Sequence, residues 1–188
     1  MKIGILGGTF NPIHIGHLIL AEQVQEKLSL DKIIFVPTNL PPHKDNGNIA
    51  AASDRLKMLK LAIKGNKKFG ISDVEVKRGG RSYTIDTLKE MHKIFKNDEL
   101  YFITGSDLLK YLEEWKDIGD VFSITKFVVA TRPGYPLENL PKQIITVPIN
   151  ALDISAFDIR KKIKEGNSIK YIVSDSVIDY IKKRGLYK

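Results

Sequence analysis

The chain has 188 residues, a formal net charge of +8, 43% hydrophobic residues and no cysteine. That length fits one domain with a substantial core, and the composition excludes a disulfide framework, a thiolate metal site and a membrane span. The N-terminus lacks the basic region, long apolar stretch and cleavage site of a secretory signal, so a cytoplasmic location is expected.

The first strand is expected at Lys2–Leu6. A glycine-rich turn follows, Gly7-Gly8-Thr9-Phe10-Asn11-Pro12-Ile13-His14-Ile15-Gly16-His17, and then a helix over Leu18–Leu28 that opens near His17. Such a turn lets backbone N–H groups approach a phosphate, and the helix N-terminus adds a favourable dipole. Two histidines three residues apart put two donors beside the same anion. A dinucleotide fingerprint does not fit, because Gly4-Ile5-Leu6-Gly7-Gly8 is not G-x-G-x-x-G and no acidic residue closes the second strand. Zinc is a weak alternative, since His43 and His92 are the only other histidines.

Further strands are expected at Lys32–Val36, Phe69–Val76, Glu99–Thr104, Lys126–Thr131 and Ile144–Val147. Helices are expected at Asp54–Ile63, Ile85–Phe95 and Asp107–Trp115. The alternation predicts an α/β fold with a mainly parallel sheet, whose ligands sit outside the carboxyl ends of the strands. Asp45–Ala52 reads as a mobile loop. After Pro148 two helices are expected, one capped by Ser155 with Asp158 three residues on and ending before Gly166, the other bracketed by Ser174 and Gly185.

Ser155–Lys188 holds 9 Lys+Arg against 4 Asp+Glu, whereas the first 154 residues hold 21 against 18. A basic C-terminal part is compatible with nucleic-acid binding. Its aromatic residues, Phe157, Tyr171, Tyr180 and Tyr187, are scattered and form no stacking platform. A solvated helical surface is therefore the reading adopted, with neither nucleic acid nor membrane as partner.

His14-Ile15-Gly16-His17 resembles the H-x-G-H signature of the nucleotidyltransferase superfamily, and Asp153-Ile154-Ser155-Ala156-Phe157-Asp158-Ile159-Arg160 fits that superfamily's late helix N-terminus. Pro41-Pro42-His43-Lys44, Ser82–Leu88, Gly105-Ser106-Asp107 with Trp115, and Arg132-Pro133-Gly134 narrow the likeness. In this order, from Lys2 to Tyr187, they resemble the bacterial nicotinate-nucleotide adenylyltransferase family. Singly, each segment also has a plain structural reading: a stiff loop, a helix cap, a core tryptophan.

The resemblance implies a Rossmann-like, doubly wound fold with helices on both faces of the sheet. Residues 1–148 would form its α/β core and 149–188 the C-terminal helices that complete the ATP site. It implies adenylyl transfer from ATP to nicotinate mononucleotide, giving nicotinate adenine dinucleotide (deamido-NAD) and pyrophosphate. His14, His17 and Arg160 are its candidate catalytic residues. Gly8, Thr9, Phe10, Gly16, Gly105, Asp107, Ser155 and Ile159 join them in the ATP set. Thr9, Phe10, Lys44, Thr84, Asp107, Trp115, Lys116 and Arg132 are the candidates for the mononucleotide. Mg²⁺ would travel on the ATP phosphates without a protein ligand. The family often forms dimers, so a homodimer is compatible with the sequence. Two departures stand out: Asn11 where the family often has Asp, and Ala156-Phe157 where it often has two hydroxyl residues. Sibling adenylyltransferases and a non-catalytic RNA-binding module on the same fold are the competing readings.

Overall fold

A computed structural model describes residues 1–40, 49–131 and 140–188. Among these residues six strands form one parallel sheet in the order β3-β2-β1-β4-β5-β6. The strands are β1 (Lys2–Gly8), β2 (Lys32–Pro37), β3 (Phe69–Ile71), β4 (Glu99–Gly105), β5 (Lys126–Thr131) and β6 (Ile144–Pro148). The helices are α1 (Ile15–Lys27), α2 (Ala52–Ala62), α3 (Val74–Arg78), α4 (Thr84–Ile94), α5 (Ile118–Ile124), α6 (Ala156–Lys164) and α7 (Asp175–Arg184), with a 3₁₀ helix at Ser106–Glu114. The parallel sheet is what the alternation of elements predicts, and its doubly wound order is the one the family resemblance implies.

Strand side chains alternate between the two faces, as a period of two requires. Leu6, Ile33, Phe35, Tyr101, Ile103, Val128 and Ala130 pack on one face with α1, α2, α6 and α7. Ile3, Ile5, Ile34, Val36, Leu100, Phe102, Phe127 and Val129 pack on the other with α4, α5 and the 3₁₀ helix. Both faces are covered, which is why the strands read as continuous apolar runs. Each such side chain contributes about 1.5–3 kcal/mol by leaving water.

Several elements differ from the expectation. Phe69–Val76 is not one strand: β3 ends at Ile71, and α3 begins at Val74 after Asp73. Glu75 explains the break, because its buried carboxylate turns inward to accept a hydrogen bond from the Thr87 hydroxyl at 2.6 Å. The segment Asp107–Trp115 forms a 3₁₀ helix rather than an α-helix, and α5 follows it unforeseen from sequence. Helix α1 opens at Ile15, earlier than expected, with His14 as its extended N-cap. Helix α2 opens at Ala52, so the expected loop ends there, and positions 45–48 of that loop lie outside the described residues.

Candidate active site

Strands β1 and β4 are neighbours from which the chain winds in opposite directions, so their carboxyl ends open the crevice where such sheets bind ligands. Gly8 ends one strand and Gly105 the other. The glycine-rich turn follows β1 and Ser106–Asp107 follows β4, so candidate residues of both segments lie next to these strand ends.

On the first face, the backbone N–H of His14 donates to Nδ1 of His17 at 3.2 Å. This assigns Nδ1 of His17 as an acceptor, so the ring proton of the neutral imidazole sits on Nε2. The two rings lie 3.7 Å apart between centroids, and the Phe10 ring meets His17 edge-on at 5.1 Å. His14 is only 6% exposed. Gly16 makes this packing possible, since a Cβ there would lie 3.1 Å from Nδ1 of His14. The spacing of the two histidines around a glycine thus has a steric cause. The Phe10 side chain is buried in the core and its φ is +47°, so any ligand contact it makes is through its backbone.

The two ends of the chain meet here. Arg160, on α6, donates from Nη1 to the carbonyl of Asn11 at 2.8 Å. Ser155 caps α6: its hydroxyl accepts from the backbone N–H of Asp158 at 3.1 Å and donates to the Asp158 carboxylate. The α6 N-terminus therefore lies beside the glycine-rich turn, and both carry the positive end of a helix dipole. Ile159 is a correction. Its side chain is 1% exposed in the core, and its backbone N–H is spent on Ser155, so it offers ATP no free group.

On the second face, Thr84 opens α4, the 3₁₀ helix ends at Trp115, and Lys116 follows. Lys116 pairs with Asp86 at 3.4 Å, and its ammonium lies 4.9 Å from the Tyr83 ring centroid. Trp115 is half-buried, edge-on to Phe102 at 5.8 Å and to Phe127 at 5.9 Å. It thus packs against the core of this face while part of its surface stays exposed. Asp107 folds its carboxylate over Gly105, where a Cβ would lie 2.5 Å from Oδ1. Lys44 and Arg132, the candidates for the mononucleotide phosphate, lie outside the described residues. Among the described residues no group of three or more His, Cys, Asp or Glu side chains is arranged to hold a metal ion.

Sequence reasoning missed Arg55. It is 1% exposed and donates to the carbonyls of Thr9 at 2.8 Å, Ala50 at 3.0 Å and Asn39 at 3.0 Å. Burial pushes its pKa below the usual arginine value. It fastens the glycine-rich turn from beneath. Nothing in the pattern of α2 distinguishes it from a surface arginine.

A cytidylyltransferase-like family model matches residues 5–162. The probable nicotinate-nucleotide adenylyltransferase of Desulfitobacterium hafniense is 43% identical over 198 residues, which covers 100% of this chain and 96% of that one. The protein of the same name from Thermus thermophilus is 43% identical over 188 residues, 100% of both chains. The chain belongs to the nicotinate-nucleotide adenylyltransferase family. Plasmodium falciparum nicotinic acid mononucleotide adenylyltransferase, solved in complex with NaAD, shares the fold. It superposes with a TM-score of 0.83 over 99% of this chain and 97% of its own, at 24% identity.

Against the family pattern, the two departures have structural accounts. Asn11 is 4% exposed, and its Oδ1 accepts from the Ala50 N–H at 3.0 Å and the Tyr187 hydroxyl at 2.8 Å. An amide oxygen serves both donors without a buried negative charge. Phe157 is 66% exposed, and the Arg160 guanidinium lies 5.9 Å from its ring centroid. In place of a hydroxyl, this position offers the arginine an aromatic face.

Proposed function

We infer that this chain transfers the adenylyl group of ATP to nicotinate mononucleotide, releasing pyrophosphate and forming nicotinate adenine dinucleotide for NAD biosynthesis. One observation carries the reading: the glycine-rich turn with its paired histidines and the Ser155-capped α6 converge at the carboxyl end of β1, joined by the bond from Arg160 to Asn11. Two anion-binding helix ends at one point suit a triphosphate.

In the reaction, a phosphate oxygen of the mononucleotide attacks the α-phosphorus of ATP, and the bond to the bridging oxygen of the leaving pyrophosphate breaks. The attacking oxygen is already ionised near neutral pH, so no general base is required. Catalysis is alignment of two anions and stabilisation of the charge that builds up on the leaving group. His17 is assigned to the α-phosphate, and His14, whose ring lies 3.7 Å from it, supports it. Ser155 and Arg160 are assigned to the β- and γ-phosphates. For this, the Ser155 hydroxyl must exchange its bond to Asp158 for one to phosphate. Asp107 is assigned to a ribose hydroxyl. The exposed surface of Trp115 is assigned to the pyridine ring, and the N-terminus of α4 at Thr84, with Lys116 beside it, to the ring carboxylate. Lys44 and Arg132 keep their assignment to the mononucleotide phosphate. Mg²⁺ would be carried by the ATP phosphates, with no protein ligand assigned to it, and would offset their negative charge.

The test is pyrophosphate release with ATP and Mg²⁺, comparing nicotinate with nicotinamide mononucleotide. A strong preference for the acid is expected. Equal rates, or preference for the amide, would overturn the carboxylate assignment at α4 and leave the adenylyl transfer standing.

A further inference from the structure

We propose that Tyr187, the penultimate residue, is a positioning residue for the phosphate-binding turn. This rests on the reading of Gly8–His17 as the substrate site. The Tyr187 hydroxyl donates to Oδ1 of Asn11 at 2.8 Å, across 176 positions of sequence. Its backbone is held at φ +65°, a conformation that an aromatic residue rarely adopts without compensation.

Anchoring the C-terminus does not need this bond. Val177, Ile178 and Ile181 already bury α7 in the core. Tyr180 and Arg184 both reach Oδ1 of Asp54, at 2.8 and 3.1 Å, and so tie α7 to α2. What the Tyr187 hydroxyl adds is a hold on Asn11, three residues before His14. Asn11 is fixed from three directions: by Tyr187 from the C-terminus, by the Ala50 N–H from the segment before α2, and by Arg160 on its carbonyl from α6. Arg55 fixes the neighbouring Thr9 carbonyl. The turn is thus pinned residue by residue from elements far apart in sequence. Its placement against α6 depends on those pins, because a small displacement of the reacting groups costs a large factor in rate.

The experiment compares Tyr187→Phe, which removes only the hydroxyl, with Tyr180→Phe, which cuts one of the two ties of α7 to Asp54. Expected for Tyr187→Phe is a fall in kcat of about tenfold with the KM for nicotinate mononucleotide within about twofold of the parent. Tyr180→Phe should lower the melting temperature at least as much and leave kcat unchanged. Amide hydrogen exchange supplies a readout independent of turnover: residues 8–11 should exchange at least about tenfold faster in Tyr187→Phe and not in Tyr180→Phe. Unchanged exchange in the turn, or equal kcat losses in the two variants, would overturn the proposal. If the parent itself failed to use ATP and nicotinate mononucleotide, the substrate assignment would fall, and the exchange rates would still decide the role of Tyr187.

Discussion

His17 is the side chain on which the proposed chemistry depends most directly. Its Nδ1 accepts from the His14 N–H, and the Phe10 ring packs edge-on against it, so the ring is held in place at the mouth of the turn. A donor aimed at developing charge contributes roughly 10²–10³ in rate. His17→Ala should therefore lower kcat by about 100-fold or more, with the KM for nicotinate mononucleotide within about twofold, in steady-state assays. A kcat within a few-fold of the parent would remove the role. Gly16→Ala tests the same pair sterically. Its Cβ would press on the His14 ring at 3.1 Å, tighter than ordinary contact. Weaker ATP binding is expected, with secondary structure unchanged by circular dichroism. Trp115→Ala belongs at this scale too. If its exposed surface stacks on the pyridine, the mononucleotide KM should rise about fivefold, the equivalent of ~1 kcal/mol. Loss of stability with an unchanged KM would return Trp115 to the core.

At the scale of elements, α3 and α4 are joined by Glu75 and Thr87, and this pair has a pH signature. Burial pushes the Glu75 carboxyl above its ordinary value of 4.5, opposed by the hydroxyls of Ser82 and Thr87 and by Arg78. The folded state then holds this proton more tightly than the unfolded chain does. The stability this contributes is complete below pH 4.5 and is lost as pH rises through the raised folded value. Relative to Glu75→Gln, which does not titrate, the parent should lose melting temperature as pH rises from about 4.5 toward neutrality. A constant gap between the two melting curves across that range would refute the shift. Because α4 opens at Thr84, the same joint sets the angle of the helix end assigned to the nicotinate carboxylate.

For the whole molecule, the C-terminal helices share a core with the sheet. Ile159, Val173, Val177, Ile178 and Ile181 pack in the same cluster as Phe35, Ile103 and Val128. A chain ending at residue 148 would expose that cluster and lose two of the three anchors of Asn11, those from Arg160 and Tyr187. Such a fragment should show no cooperative urea unfolding and should bind ANS, as a state with exposed apolar surface does. A sharp transition with a slope proportionate to its size would mean that the sheet is autonomous and the helices an addition.

The sequence by itself determined the order of the strands and of most helices, and it marked the turn after the first strand as a candidate phosphate site. Apolar runs of strand length, helical spacing and Gly7–His17 are local signals, set by backbone sterics and side-chain periodicity over a few residues. They were enough to foresee an α/β fold with a parallel sheet, but not α3 or α5. The break in Phe69–Val76 was not legible, because Ile71, Val74 and Val76 suit a strand, and only the inward turn of Glu75 toward Thr87 decides otherwise. The inward face of Ile159 was hidden as well, since a capped helix reads the same whichever side the core lies on. Arg55, Asn11 and Tyr187 belong to the tertiary structure entirely. Their partners are 16 to 176 residues away, apart from the local bond from Arg55 to Ala50, and no periodicity records a hydrogen bond that exists only after both ends of the chain reach the same turn.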